Sequence, residues 1–310
     1  MKIVFLDAST IGEVPNMDEI KSLGEYSEYP VTSNDQRIER LAGAEVAIVN
    51  KVVMDQKVMD ACPHLRLICV TATGMNNIDL SYAEEKGIVV KNVAGYSTNS
   101  VAQITITLVL DLLARLNDYN EYIQNGSYSK SPIFTYLGRP FCELAGKQYG
   151  IIGMGAIGRR VAAIVEAFGA DVCYYSTSGK NLDNPYTHLS LNALLQTSDV
   201  ISIHAPLNEQ THNLIDMPQL QLMKSSALLV NVGRGGIVNE AALAKAIDSD
   251  VIAGAGLDVF TQEPLPVDHP LLTVCKKDRL LLLPHVAWAS IEARTVLVSQ
   301  IAQNIKRYQR

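Results

Sequence analysis

Short apolar runs alternate with helical stretches along the whole chain, and this alternation limits its fold more than any other feature. Strand-like runs are expected at 2–7, 45–49, 65–71 and 88–92, with helical patterns such as 54–61 and 81–86 between them. A second series places strands at 149–152, 171–175, 200–204, 227–231, 252–256 and 280–283. Strands separated by helices cannot pair as hairpins. Each is reached by a crossover, which gives parallel sheets covered by helices. The expected class is therefore α/β, with two doubly wound parallel-sheet domains.

Composition narrows the setting. With 310 residues, 48% hydrophobic and 19% charged, the chain has material for two cores. A formal net charge of −6 argues against nucleic acid or anionic membranes as partners. The five cysteines are odd in number and show no CxxC spacing, which fits free thiols in a reducing compartment. Asp7 interrupts the first apolar run, so MKIVFLDAST reads as a strand and not a leader. The helical pattern 101–116 carries Gln103, Asp111 and Arg115, which suits a buried helix better than a membrane span. A cytoplasmic protein is expected. That helix begins near Asn99 or Ser100, either of which could cap it, and its apolar positions surround most of the cylinder. The following stretch, 118–146, is polar, aromatic and irregular; it suits an arm on a partner subunit or a surface loop with its own cluster.

Gly153, Gly155 and Gly158 form G-x-G-x-x-G after an apolar strand and before a helical pattern at 159–168. In that setting the first glycine permits a tight turn and the second lets a pyrophosphate approach the backbone. The third allows close packing of helix on strand. The helix start would offer N–H donors from Ala156 and Ile157. A dinucleotide cofactor is expected. An NAD site usually places an acid at the end of the next strand, but Asp171 sits at the wrong end of it. The recognition position falls on Ser176, with Thr177, Ser178 and Lys180 beside it. Hydroxyls and a lysine suit a 2′-phosphate, so NADP is favoured over NAD; a polar turn accepting either is the alternative.

Three later segments carry reactive side chains at expected carboxyl ends of strands: Arg234 in NVGRGGI, Asp258 and Glu263 in GLDVFTQEP, and His285 in PHVAWA. Singly, each has an ordinary explanation as a surface charge, a structural histidine or a turn. Together with GMGAIG and HAPLN, and in this order, they closely resemble the D-isomer-specific 2-hydroxyacid dehydrogenase family. The resemblance covers essentially the whole chain. Its PHVAWAS and EAR features are most similar to the glycerate dehydrogenase, or hydroxypyruvate reductase, branch.

The resemblance implies a catalytic Arg234, Glu263 and His285. Reduction of a 2-keto acid needs a hydride on one face of the carbonyl and a proton for the developing alkoxide. His285 suits the proton transfer. Glu263 would orient the ring and favour its charged form. Arg234 offers a planar, always charged fork for a carboxylate and the keto oxygen. Cofactor contacts are implied at His204, Ala205, Pro206, Val232, Gly233 and Asp258. Substrate contacts are implied at Thr73 and Gly74, with Met75 and Tyr96 lining the pocket. No metal is implied. His64, His188, His212 and His269 read as loop or surface residues. The resemblance also implies a flavodoxin-like substrate domain at 1–99 plus 287–310, an inserted Rossmann domain at 100–286, and a homodimer built on the long helix and the arm. Two alternatives stand beside a dehydrogenase of small D-2-hydroxy acids. One is a relative acting on phosphite or a phosphorylated acid, although no basic residues cluster in the N-terminal loops for it. The other is a nucleotide-sensing, corepressor-like interaction protein on the same fold.

Overall fold

The computed structural model describes residues 1–138 and 140–309; Arg139 and Arg310, the last residue of the expected 287–310 segment, lie outside them. The chain forms two compact units, Met1–Ser97 with Ala289–Arg310, and Thr98–Trp288. The divisions fall two residues outside the expected 99/100 and 286/287, the first of them where the long helix starts at Thr98.

The first unit holds β1 (Lys2–Phe5), β2 (Glu25–Glu28), β3 (Val46–Val49), β4 (Leu67–Val70) and β5 (Val89–Lys91). They form one sheet in the order β2-β1-β3-β4-β5, with every pairing parallel. This is the flavodoxin-like doubly wound order. Strands β3 and β4 are buried at every residue, as expected of a sheet covered on both faces. The Ile291–Tyr308 helix returns to this unit, capped by Ser290 and burying Leu297, Val298, Ile301 and Ile305. Fully burying an aliphatic side chain contributes about 1.5–3 kcal/mol, so this one face is enough to hold the helix in place.

The second unit holds β6 (Gln148–Ile152), β7 (Asp171–Tyr175), β8 (Thr187–His188), β9 (Val200–Ile203), β10 (Leu228–Asn231), β11 (Gly254–Leu257) and β12 (Leu280–Leu282). Their order is β12-β11-β10-β9-β6-β7-β8, again all parallel. The winding reverses between β6 and β9, the point where such sheets open a crevice. The Thr98–Ala114 helix packs on β11 through Leu108, whose Cβ lies 3.2 Å from where a Cβ on Gly256 would be. Ser100 does not cap it. The residue is inside the helix, and its hydroxyl donates to the Ala287 carbonyl at 2.6 Å.

The stretch after that helix is more ordered than its sequence suggests. Arg115 takes the left-handed region at φ 54°, and a second helix, Leu116–Gln124, follows it. Tyr122 stacks on Tyr136 at 3.8 Å, and Tyr119 meets Tyr136 and Phe141 edge-on. Among the described residues, no single helix is long and apolar enough to cross a membrane.

Candidate active site

The carboxyl ends of β6, β9 and β10 are drawn together by glycines. A Cβ on Gly153 would lie 2.8 Å from the Ala205 nitrogen, and one on Gly233 would lie 2.9 Å from the Ala205 carbonyl oxygen. Gly158 is packed as tightly, since a Cβ there would lie 2.3 Å from the Gly153 carbonyl. Gly155 differs from all three: nothing stands within 4 Å of its Cβ position. It is the residue before the Ala156–Ala167 helix, with no side-chain cap, so the first N–H groups of that helix face the same open space. Open room, free donors and a positive helix end together fit a cofactor pyrophosphate. Pro206 is exposed and Val232 buried at the neighbouring strand ends. His204 lies beside them. Its Nε2 pairs with Ser202 Oγ at 2.9 Å, while its buried Nδ1 meets no partner among the described residues. Burial pushes its pKa down to about 3, so the ring is neutral.

Beyond β7, Ser176 is buried and its hydroxyl donates to the Lys180 carbonyl at 2.5 Å. Ser178 Oγ accepts from the Lys180 N–H, closing a small turn in which Thr177 is half-buried and Lys180 exposed. The Arg159 guanidinium reaches this turn from the cofactor helix and donates to Asn181 Oδ1 at 2.9 Å. Sequence reading missed Arg159, which looks like any exposed helical arginine until the turn is folded against it.

Three further strand ends carry the reactive residues. After β10, Asn231 is buried and holds the arginine loop from inside: its Nδ2 donates to the Arg234 carbonyl, and its Oδ1 accepts the Gly233 N–H. Arg234 is exposed, with Nη1 donating to the Gly233 carbonyl at 2.8 Å. After β11 comes the turn with Glu263, whose Oε1 accepts the Phe260 N–H at 2.9 Å. After β12, His285 Nδ1 donates to Glu263 Oε2 at 2.7 Å. Both side chains of the pair are partly open, 26% and 32% exposed. With Nδ1 held, Nε2 is the ring nitrogen left to exchange a proton with a ligand.

His285 itself sits in the left-handed region at φ 56°, a conformation that persists only when its surroundings impose it. Asp258 imposes it. This carboxylate is buried, and its two oxygens accept the N–H groups of Val286 and Ala287 at 2.8 and 2.9 Å. Burial raises its pKa above the ordinary value despite those two donors. The arginine and glutamate loops also touch. A Cβ on Gly235 would fall 1.9 Å from the Phe260 carbonyl oxygen, so only glycine allows that approach.

In the other unit, Thr73 Oγ1 donates to the Val93 carbonyl, and its own carbonyl accepts from Asn92 Nδ2 at 2.6 Å. Met75 packs on that unit's core, Gly74 follows the exposed Thr73 in the same loop, and Tyr96 is half-buried. Asp7, buried at the end of β1, accepts the N–H groups of Asn50, Lys51 and Val52 and shapes the neighbouring loop. His269 lies in a loop with its side chain 12% exposed, its Nε2 paired with Glu240 Oε2 at 2.8 Å. Its signal was the following Pro270 at a helix start, where His269 serves as the cap.

The family model for the D-isomer specific 2-hydroxyacid dehydrogenase NAD-binding domain matches residues 106–287. The chain belongs to this family. It is similar to a glycerate dehydrogenase of Methylorubrum extorquens, 38% identical over 308 residues, covering 99% of this chain and 96% of the relative. Among solved structures it is similar to a D-lactate dehydrogenase from Aquifex aeolicus complexed with NAD and lactic acid (TM-score 0.84, 28% identity, 99% and 95% covered). It is also similar to an NADPH-dependent glyoxylate/hydroxypyruvate reductase from Sinorhizobium meliloti in complex with NADP and malonate (TM-score 0.81, 27% identity, 99% and 93% covered). The chain is thus a nicotinamide-dependent oxidoreductase of 2-hydroxy acids, and none of these relatives carries a corepressor's name. The dehydrogenase has its three candidate reactive groups on the ends of three consecutive strands of one sheet.

Proposed function

We propose that this dehydrogenase reduces a small 2-keto acid, hydroxypyruvate or glyoxylate, to the D-2-hydroxy acid, with His285, Glu263 and Arg234 as its catalytic residues. The observation that carries the reading is the 2.7 Å bond from His285 Nδ1 to Glu263, which orients the ring and reserves Nε2 for proton transfer. The nicotinamide cofactor, when bound, supplies the hydride. Gly153, Gly155, Gly158 and the N–H groups of Ala156 and Ile157 hold its pyrophosphate, with His204, Ala205, Pro206, Val232, Gly233 and Asp258 around the rest. Arg234 binds the carboxylate and polarises the keto oxygen, and His285 delivers the proton to the developing alkoxide. Glu263 stabilises the protonated ring before transfer and holds the neutral ring afterwards. Thr73, Gly74, Met75 and Tyr96 are the substrate-binding residues of the smaller unit.

NADP is the favoured cofactor. The turn Ser176–Lys180 offers hydroxyls and no acid, and Arg159 adds a second cation beside it. A carboxylate at that position would repel a 2′-phosphate; this turn does not. The protein is further read as a cytoplasmic homodimer, on its free cysteines and on the apolar side chains exposed in its arm.

A panel of glyoxylate, hydroxypyruvate, pyruvate and branched 2-keto acids, assayed with NADH and NADPH, tests both readings. Hydroxypyruvate or glyoxylate should exceed branched acids in kcat/KM by about a hundredfold, with NADPH preferred. A strong NADH preference overturns the cofactor reading, and no turnover on any acid overturns the function.

A further inference from the structure

We propose that Glu240, Thr261 and His269 form a clamp, centred on the buried Glu240 carboxylate, that positions Glu263 against His285. They are positioning residues for the proton-transfer pair, and the inference rests on the reading of that pair given above.

Glu240 opens the Glu240–Asp248 helix and is only 8% exposed. Its donors come from the segments that carry and follow the catalytic turn. Oε1 accepts both the N–H of Thr261, at 2.7 Å, and its hydroxyl, at 2.9 Å. Oε2 accepts from His269 Nε2 at 2.8 Å. The ring's other nitrogen, Nδ1, accepts the Leu271 N–H at 3.3 Å and therefore carries no proton. His269 is thus the Nε2–H tautomer, and the Glu240 carboxylate oxygens are met by three donors, none of them a lysine or arginine among the described residues. A buried charge of this kind is expensive unless fully satisfied, and a helix start needs none. What the arrangement restrains is one turn, two residues ahead of Glu263.

Three contacts among the described residues bear on the turn from Phe260 to Glu263. Gly235 abuts the Phe260 carbonyl, Glu240 grips Thr261, and Glu263 itself accepts the Phe260 N–H. Phe260 is itself packed in the core, so the start of the turn is anchored there. The Glu240 attachment adds a second tie one residue nearer Glu263, at the exposed Thr261, through the helix whose Leu243, Ala246 and Ile247 are buried in that core. Loss of it lets Glu263 wander while His285 stays fixed by Asp258, so the cost falls on the bond between them.

The test compares Glu240→Gln, Thr261→Val and Thr261→Ser in the full-length enzyme, with thermal melts to establish folding. In Glu240→Gln the single amide oxygen can serve either Thr261 or His269, so the N–H2 is turned against the Thr261 N–H or the His269 Nε2–H, and the clamp is broken on one side in either flip. Glu240→Gln should lower kcat about tenfold or more and leave the cofactor dissociation constant unchanged. The alkaline limb of the reduction profile should move to lower pH, because a displaced Glu263 supports the charged ring less. Thr261→Val should show part of the same change, and Thr261→Ser should retain wild-type values. A folded Glu240→Gln enzyme with wild-type kcat and pH profile overturns the clamp, as does a Thr261→Ser enzyme as impaired as Thr261→Val. Should Glu240→Gln not fold, Thr261→Val against Thr261→Ser decides. NMR titration of the His285 ring gives a readout independent of turnover. A wild-type enzyme inactive on every 2-keto acid defeats the functional reading, whereas an unchanged His285 titration in the folded variants defeats the clamp.

Discussion

At the scale of single residues, His285 and Arg234 do different work, and their variants should fail differently. His285→Ala removes the proton donor and leaves Asp258 still holding the Val286 and Ala287 N–H groups. Its kcat should fall by about two to four orders of magnitude with cofactor affinity and melting temperature retained. Arg234→Lys keeps the charge and loses the two-pronged fork, so the larger effect should be on KM for the acid, a rise of about tenfold or more. Steady-state kinetics with circular dichroism checks both, and a His285→Ala enzyme at wild-type kcat would falsify the assignment. These residues could be picked out in the sequence because each sits in a distinctive string just past a strand. Glu240, His269 and Asn231 could not, because a carboxylate–imidazole hydrogen bond or a loop-bracing amide has no local pattern. Their partners are fixed only by packing, 21 and 29 residues away for Glu240.

At the scale of elements, every interior strand was legible, and so were the edge strands β5 and β12. Two strands went unpredicted, β2 and β8, and each ends a sheet. Glu25-Tyr-Ser-Glu28 has no fully buried position, and Thr187–His188 is exposed throughout, so neither writes an apolar run. The expected long helix, 101–116, is broken at Arg115 because that residue leaves the right-handed region, which no composition rule anticipates. The cofactor turn offers a sharp contrast between neighbouring glycines. Gly155→Val should fold with a melting temperature close to wild type, since its Cβ meets open space, yet bind NADPH at least about tenfold more weakly. Gly158→Val should fail to fold well, its Cβ colliding with a backbone carbonyl. Calorimetry and nicotinamide fluorescence titration separate the two; unweakened NADPH binding by Gly155→Val would remove the pyrophosphate from that space.

At the scale of the whole molecule, two sheets with distinct strand orders share one chain, and the second is contained between the two segments of the first. The interleaving was legible only through the family resemblance, since no linker composition marks either junction. The arm exposes several apolar side chains, with Phe134 at 90% and Leu137 at 78%. A lone exposed leucine means little, but neighbouring ones in one stretch suit a partner copy. Light scattering on the wild type should give the mass of a dimer, and Phe134→Asp with Leu137→Asp should shift it toward monomer; a monomeric wild type would sink that reading. The contact of Gly235 with Phe260 has a consequence of another kind. Two loops that touch backbone to backbone cannot drift independently over generations. A change that displaces either must be answered in the other, so substitutions in NVGRGG and DVFTQEP should combine non-additively, and ancestral histories of the two segments should run in step.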